Sequence, residues 1–143
     1  MRKVLILNGP NLNRLGTREP EVYGRDSLDD IAAMLHEAAA LLGLDIDLRQ
    51  SNHEGHLIDW LHEAADTDAA AVILNAGGLT HTSVALRDAI AAVPTPVIEV
   101  HLSNPASREP FRHKSLISGV CVGSISGFGA RSYLLALDAA ARL

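Results

Sequence analysis

A doubly wound α/β domain built on a five-stranded parallel sheet is the fold class this sequence predicts, and three observations lead there. Residues 3–8 form an apolar run without period-2 alternation, as in a strand covered on both faces. Three further strand-like runs, at 70–74, 96–101 and 120–126, are separated by stretches with apolar residues at helical spacing, which implies crossovers rather than hairpins. One run differs: Leu44, Ile46 and Leu48 alternate with Asp45, Asp47 and Arg49, marking a half-exposed strand at a sheet edge.

The elements follow in order. After the first strand comes Asn8 to Gly24, a loop rich in proline, glycine and asparagine that also carries Arg14, Arg18 and Tyr23. Strand-to-helix loops usually run 2–6 residues, so this one (about residues 9–25) is expected to be an active-site lid. Ser27 with Asp30 three places on predicts a helix N-cap, a variant of the capping box. Ile31, Met34, Leu35, Ala38, Leu41 and Leu42 trace the apolar face of that helix, and Gly43 stops it. The edge strand and a turn at Ser51–Gly55 lead to a helix marked by Leu57, Ile58, Leu61, Ala64 and Ala65. The strand at 70–74 ends in Asn75-Ala76-Gly77-Gly78. A helix from about Thr82 to Val93 is stopped by Pro94 and Pro96. The fourth strand, a polar connection at 103–118 and the fifth strand follow. Gly127-Phe128-Gly129 then turns into a last helix with Tyr133, Leu134, Leu137 and Ala141. Leu57, Trp60, Leu61 and Phe128 are expected in the core.

No repeat or linker interrupts the chain, so residues 1–143 are read as a single catalytic domain. With right-handed crossovers and the alternating strand at the edge, the order is 2-1-3-4-5, with helices on both faces. This is the flavodoxin-like arrangement, whose ligand crevice lies at the carboxyl ends of strands 1 and 3.

Composition narrows the function. An apolar fraction of 48% suits a packed core, and a net charge of −5 argues against nonspecific nucleic-acid binding. Cys121 is the one cysteine, expected as a reduced thiol without a disulfide framework. Only four apolar residues separate Met1-Arg2-Lys3 from Asn8-Gly9-Pro10, and no apolar run approaches membrane-spanning length, so the expected location is the cytoplasm. The histidines are scattered without ligand spacing, which predicts no metal site. There is no Gly-x-Ser-x-Gly elbow for a serine nucleophile.

Polar residues gather at the predicted carboxyl ends. Strand 1 empties into Asn8, Asn11, Arg18 and Tyr23; strand 3 into Asn75, Gly77, Gly78 and His81; strand 4 into Glu99, His101, Leu102 and Ser103, with Arg108 and Arg112 beyond. Glu99 and His101 are two apart on a strand and share a face. They fit either a carboxylate-oriented proton donor or a strand-end ion pair. Tyr23, five residues after Arg18, is either a general base, its phenolate favoured by the guanidinium, or a lid residue packing over the cleft. The glycine turn into Thr82 offers a helix N-terminus for an anion or hydroxyl but lacks a nucleotide-loop spacing. His81 reads as a capping residue or a ligand, Asp88 as a solvated or interface carboxylate, and Arg112-His113-Lys114 as an anion clamp or a basic patch.

Several motifs together resemble one family. Asn8-Gly9-Pro10-Asn11-Leu12-Asn13, Arg18-Glu19-Pro20, Tyr23-Gly24, Gln50 through Gly55, Asn75 through Ser83, Ile98 through Asn104, Arg108-Glu109 and Phe111-Arg112-His113 are similar to type II 3-dehydroquinate dehydratase over essentially the whole chain. Arg14 stands where leucine or methionine is common in that family, and His56 where glutamate is common. The resemblance implies a cofactor-independent lyase of the shikimate pathway, a route to aromatic amino acids, converting 3-dehydroquinate to 3-dehydroshikimate by trans-dehydration through an enolate. It implies Tyr23 as base, Arg18 as its electrostatic support, Asn11 at the enolate oxygen, and His101, oriented by Glu99, as acid. It also implies Leu102 and Ser103 at the substrate carboxylate, and Asn75, His81 and Arg112 at the ring hydroxyls. Asp88 would reach a neighbouring subunit's site in a dodecamer of trimers.

Two other readings remain open on the residues alone: a flavodoxin-like module binding a nucleotide or phosphate without catalysis, and a different carbon–oxygen lyase. A Schiff-base mechanism is disfavoured because Lys3 and Lys114 are the only lysines.

Overall fold

Val4, Leu5, Ile6 and Leu7 are buried from end to end, and this run forms strand β1 (Arg2–Asn8) in the interior of a sheet. The computed structural model describes residues 1–143. Helix α1 (Pro20–Tyr23) is a single turn within the long loop, and α2 (Leu28–Leu42) follows it. Then come β2 (Leu44–Gln50), α3 (Glu54–Asp66), β3 (Ala71–Asn75), α4 (Val84–Ala92), β4 (Val97–His101), β5 (Gly123–Ser126) and α5 (Arg131–Ala141). All strand pairs are parallel, and the order is β2-β1-β3-β4-β5, with the alternating strand at one edge as its pattern requires.

Successive strand residues point to opposite faces, so the sheet divides the core in two. Val4, Ile6, Ile73, Ile98 and Val100 pack against Ile31 and Leu35 of α2 and Tyr133 and Leu137 of α5. Leu5, Leu7, Val72, Leu74 and Val97 pack against Leu57 and Leu61 of α3 and Leu86 and Ile90 of α4. Ser27 caps α2 as the spacing predicts: Asp30 N donates to Ser27 Oγ at 3.1 Å, and Ser27 N donates to Asp30 Oδ2 at 3.0 Å. No helix is long and apolar enough to cross a membrane.

Four expectations need correction. Leu41 is 86% exposed and Leu42 39%, because the buried stripe of α2 runs Ile31, Leu35, Ala39: Leu41, two beyond Ala39, lies about 200° around the helix, and Leu42 is its last residue. Phe128 is 64% exposed in the turn leaving β5, an edge strand with no sheet neighbour beyond it to cover that turn. The fifth strand starts at Gly123, since Ser118–Val120 form a 3₁₀ turn. The glycine turn does not open α4: Gly77–His81 is itself a 3₁₀ helix, and α4 is capped by Ser83, whose Oγ accepts from Leu86 N at 2.9 Å.

Candidate active site

In a parallel sheet every carboxyl end lies along one edge, and here Asn8, Asn75 and His101 finish β1, β3 and β4 side by side. The loops leaving β1 and β3 touch. A Cβ on Gly9 would sit 2.6 Å from the Ala76 carbonyl oxygen, so only glycine fits there, and Gly77 adopts φ +61 against Pro10. This contact closes the floor of a small polar cleft of about 150 Å³.

The long loop covers the cleft in two parts. Leu12 and Leu15 are buried in the core, anchoring the first part. From Gly16 onward the chain is largely exposed and bends through positive φ at Gly16, Glu19 and Gly24. That second part carries Arg18 and Tyr23 to the cleft, with the Arg18 guanidinium 4.8 Å from the Tyr23 ring centroid. Arg108 lies against the same ring at 5.0 Å and donates to Ser103 Oγ at 3.3 Å. Arg108 and Arg112 share Glu109 as an ion-pair partner, whereas Arg18 enters no salt bridge.

His101 also lines the cleft, held by a buried carboxylate. His101 Nε2 lies 2.6 Å from Glu99 Oε2, and Glu99 is only 2% exposed. The Ser115 hydroxyl donates to Glu99 Oε2 at 3.0 Å and the Ser118 hydroxyl donates to Oε1. Burial pushes the Glu99 carboxyl up, but the hydrogen bonds from His101 and Ser118, the His101 charge and the bond from Ser115 outweigh it and hold the group below its usual range. An ionised Glu99 accepts a hydrogen from Nε2, which fixes the ring and leaves Nδ1 as the free nitrogen. Glu99 does not line the main cleft. It faces a second, adjoining hollow and reaches the first through His101 alone.

The remaining expected residues divide clearly. Asn11, Asn75, His81, Leu102, Ser103 and Arg112 all line the cleft with Arg18, Tyr23 and His101. The His81 ring is stacked with that of His101, centroids 6.5 Å apart, and its Nδ1 donates to the Lys114 carbonyl at 2.8 Å. Asp88 stands apart, exposed on α4 and outside the cleft. Sequence reasoning assigned no role to Arg108, Ser115, Ser118 or Tyr133. Arg108 stood in the right loop without a distinguishing signal, and the serines looked like ordinary loop residues. Tyr133 matched the apolar spacing of a core helix, which concealed its hydroxyl.

Such a cleft, lined by a phenol beside guanidiniums and by a carboxylate-held imidazole, suits proton removal and proton donation on one small polar ligand. Residues 2–141 match the model of the Dehydroquinase class II family. A 3-dehydroquinate dehydratase of Rhizobium johnstonii is 60% identical over 136 residues, covering 95% of this chain and 93% of that protein. The crystal structure of a type II dehydroquinase from Propionibacterium acnes superposes with a TM-score of 0.96 at 44% identity, covering 100% of this chain and 98% of that one. The corresponding enzyme from Butyrivibrio crossotus gives 0.96 at 41% identity, with 97% of both chains covered. Family model, relatives and solved structures agree along the full length, and the chain is a member of the class II dehydroquinase family.

Proposed function

We propose that this protein dehydrates 3-dehydroquinate to 3-dehydroshikimate, the shikimate-pathway step of its family, and that the reaction passes through an enolate. The observation that carries the reading is that Tyr23 and His101 line one and the same cleft. The Tyr23 phenolate takes the proton beside the ketone, and Arg18, which has no carboxylate partner, supplies positive charge against that ring. Asn11, in a left-handed conformation at the mouth of the lid, holds the enolate oxygen through a water molecule. His101 protonates the departing hydroxyl while Glu99 carries the charge behind it. Leu102 and Ser103 take the substrate carboxylate, with the Arg108 guanidinium adjacent, and Asn75, His81 and Arg112 hold the ring hydroxyls. The residues provide base, acid and oxyanion support, and the chemistry asks for no cofactor.

The assembly belongs to the same reading. Val84 and Asp88 are i, i+4 on α4 and both exposed, so an interface that covers Val84 also captures Asp88. Phe111 and Phe128 add exposed apolar surface. We infer trimers in which Asp88 enters a neighbouring copy's site, four of them forming a dodecamer, in the reducing cytoplasm that suits the free thiol of Cys121. The direct test is a spectrophotometric assay of purified protein with 3-dehydroquinate. Growth of the enone absorbance supports dehydration. Its absence, with thermal stabilisation by a nucleotide instead, would transfer the cleft to a binding module.

A further inference from the structure

Between Asn8 and Asn75, register partners on β1 and β3, the Tyr133 hydroxyl is buried and has two partners. Its hydrogen goes to Asn8 Oδ1 at 2.5 Å, and it accepts from Asn75 Nδ2 at 2.9 Å. The row continues at both ends into backbone. Asn8 Nδ2 donates to the Arg49 carbonyl at 3.1 Å, and Gly77 N donates to Asn75 Oδ1 at 3.2 Å. A carbonyl can only accept and a peptide N–H can only donate, so neither end can reverse. The phenol has one hydrogen, and whichever amide receives it must present oxygen while the other presents nitrogen. The direction set at Arg49 therefore passes through Asn8 and Tyr133 to Asn75, and all four bonds run the same way.

We infer that Tyr133 is a positioning residue that fixes which way the Asn75 amide faces in the cleft. Tyr133 itself does not line the cleft, whereas Asn75 does. With one Nδ2 hydrogen committed to Tyr133 and one side of Oδ1 to Gly77, Asn75 offers a ligand one N–H and one lone pair. That pair matches a hydroxyl, which both donates and accepts. Burial pushes the Tyr133 phenol up despite the bond from Asn75, so it retains the hydrogen on which the direction depends. Without the hydroxyl, Asn75 keeps its bond to Gly77 N but loses the second anchor, the one that holds its Nδ2 in place. The inference rests on the reading that Asn75 holds a ring hydroxyl of 3-dehydroquinate.

Steady-state kinetics on wild type, Tyr133→Phe, Asn75→Ala and the double variant test it. Tyr133→Phe is expected to raise KM about tenfold with kcat changed less than about threefold, the pattern of lost uniform binding. In the Asn75→Ala background the same substitution should add nothing to KM, because its effect runs through Asn75. An unchanged KM in Tyr133→Phe, or an equal effect in both backgrounds, overturns the inference and leaves Tyr133 a packing residue. If Tyr133→Phe does not fold, Tyr133→Leu, which also lacks the hydroxyl, replaces it, and the same rise in KM is expected. An unchanged KM there is equally fatal. A wild type without turnover removes the dehydratase reading and this inference together, whereas an active wild type with insensitive variants removes the inference alone.

Discussion

The two walls of the cleft are built differently. His101 sits at the end of an interior strand, its partner Glu99 almost wholly buried and held by two serine hydroxyls. Tyr23 and Arg18 ride on an exposed stretch between Gly16 and Gly24, held against one another mainly by ring–guanidinium contacts. One wall is set when the protein folds; the other can be withdrawn at little cost to the core. That division suits a reaction needing a proton donor of fixed direction and a base sealed from water once substrate has entered. It also predicts that stability and activity are separable on the lid and coupled on the strand.

The largest effects test that separation. Tyr23→Phe and His101→Ala should each lower kcat by about 10²–10⁴-fold, the usual range for removing a positioned acid or base. Their melting temperatures should differ. The Tyr23 hydroxyl has no hydrogen-bond partner within the chain, so Tyr23→Phe is expected to melt with the wild type. His101→Ala strips a partner from a buried carboxylate, at a cost of roughly 1–3 kcal/mol. Kinetics and thermal melts on the same preparations check both. Equal losses of stability in the two variants would erase the distinction between the walls.

An intermediate effect locates the boundary inside the lid. Leu15 is packed in the core at the foot of the loop, while Arg18, three residues on, leaves the core for the cleft. Leu15→Ala should cost about 2–5 kcal/mol in chemical denaturation, as for other buried leucines. Arg18→Ala should leave the denaturation midpoint in place yet reduce kcat by about 10²-fold or more, since in the proposed mechanism its charge supports the base. If Arg18→Ala destabilises as much as Leu15→Ala, the lid is one rigid unit with the core.

How much of this was legible follows the same line. The β1 apolar run, the alternation at Leu44–Gln50 and the Ser27–Asp30 cap are local patterns, and each was realised. The sheet order followed from them, and with it the edge at which the cleft residues meet. Leu41 and Phe128 went wrong because an alanine- and leucine-rich helix hardly distinguishes its faces, and a turn phenylalanine depends on what lies beyond the edge strand. The Tyr133 row links residues 58 and 125 positions apart, so no window of sequence contains it. The same holds for Ser115 and Ser118, which bond back to Glu99 over 16 and 19 positions.

The smallest effect concerns pH. Folding holds the Glu99 carboxyl below its ordinary value of 4.5. Above that value the group is ionised in both folded and unfolded chains, and its stabilising contribution is complete. As pH falls through 4.5 the unfolded chain takes up the proton first, so stability declines until the folded carboxyl is protonated too. For one group the slope cannot exceed about 1.4 kcal/mol per pH unit. Denaturation of wild type and Glu99→Gln at several pH values between neutrality and pH 3 isolates this contribution. The wild-type advantage should be constant above about pH 5, narrowing below it. Tyr23→Phe, on the exposed wall, should run parallel to the wild type throughout. A Glu99→Gln curve that also ran parallel would mean that the carboxylate is no better held in the folded chain than in the unfolded one, and the strand wall would lose its claim to be preformed.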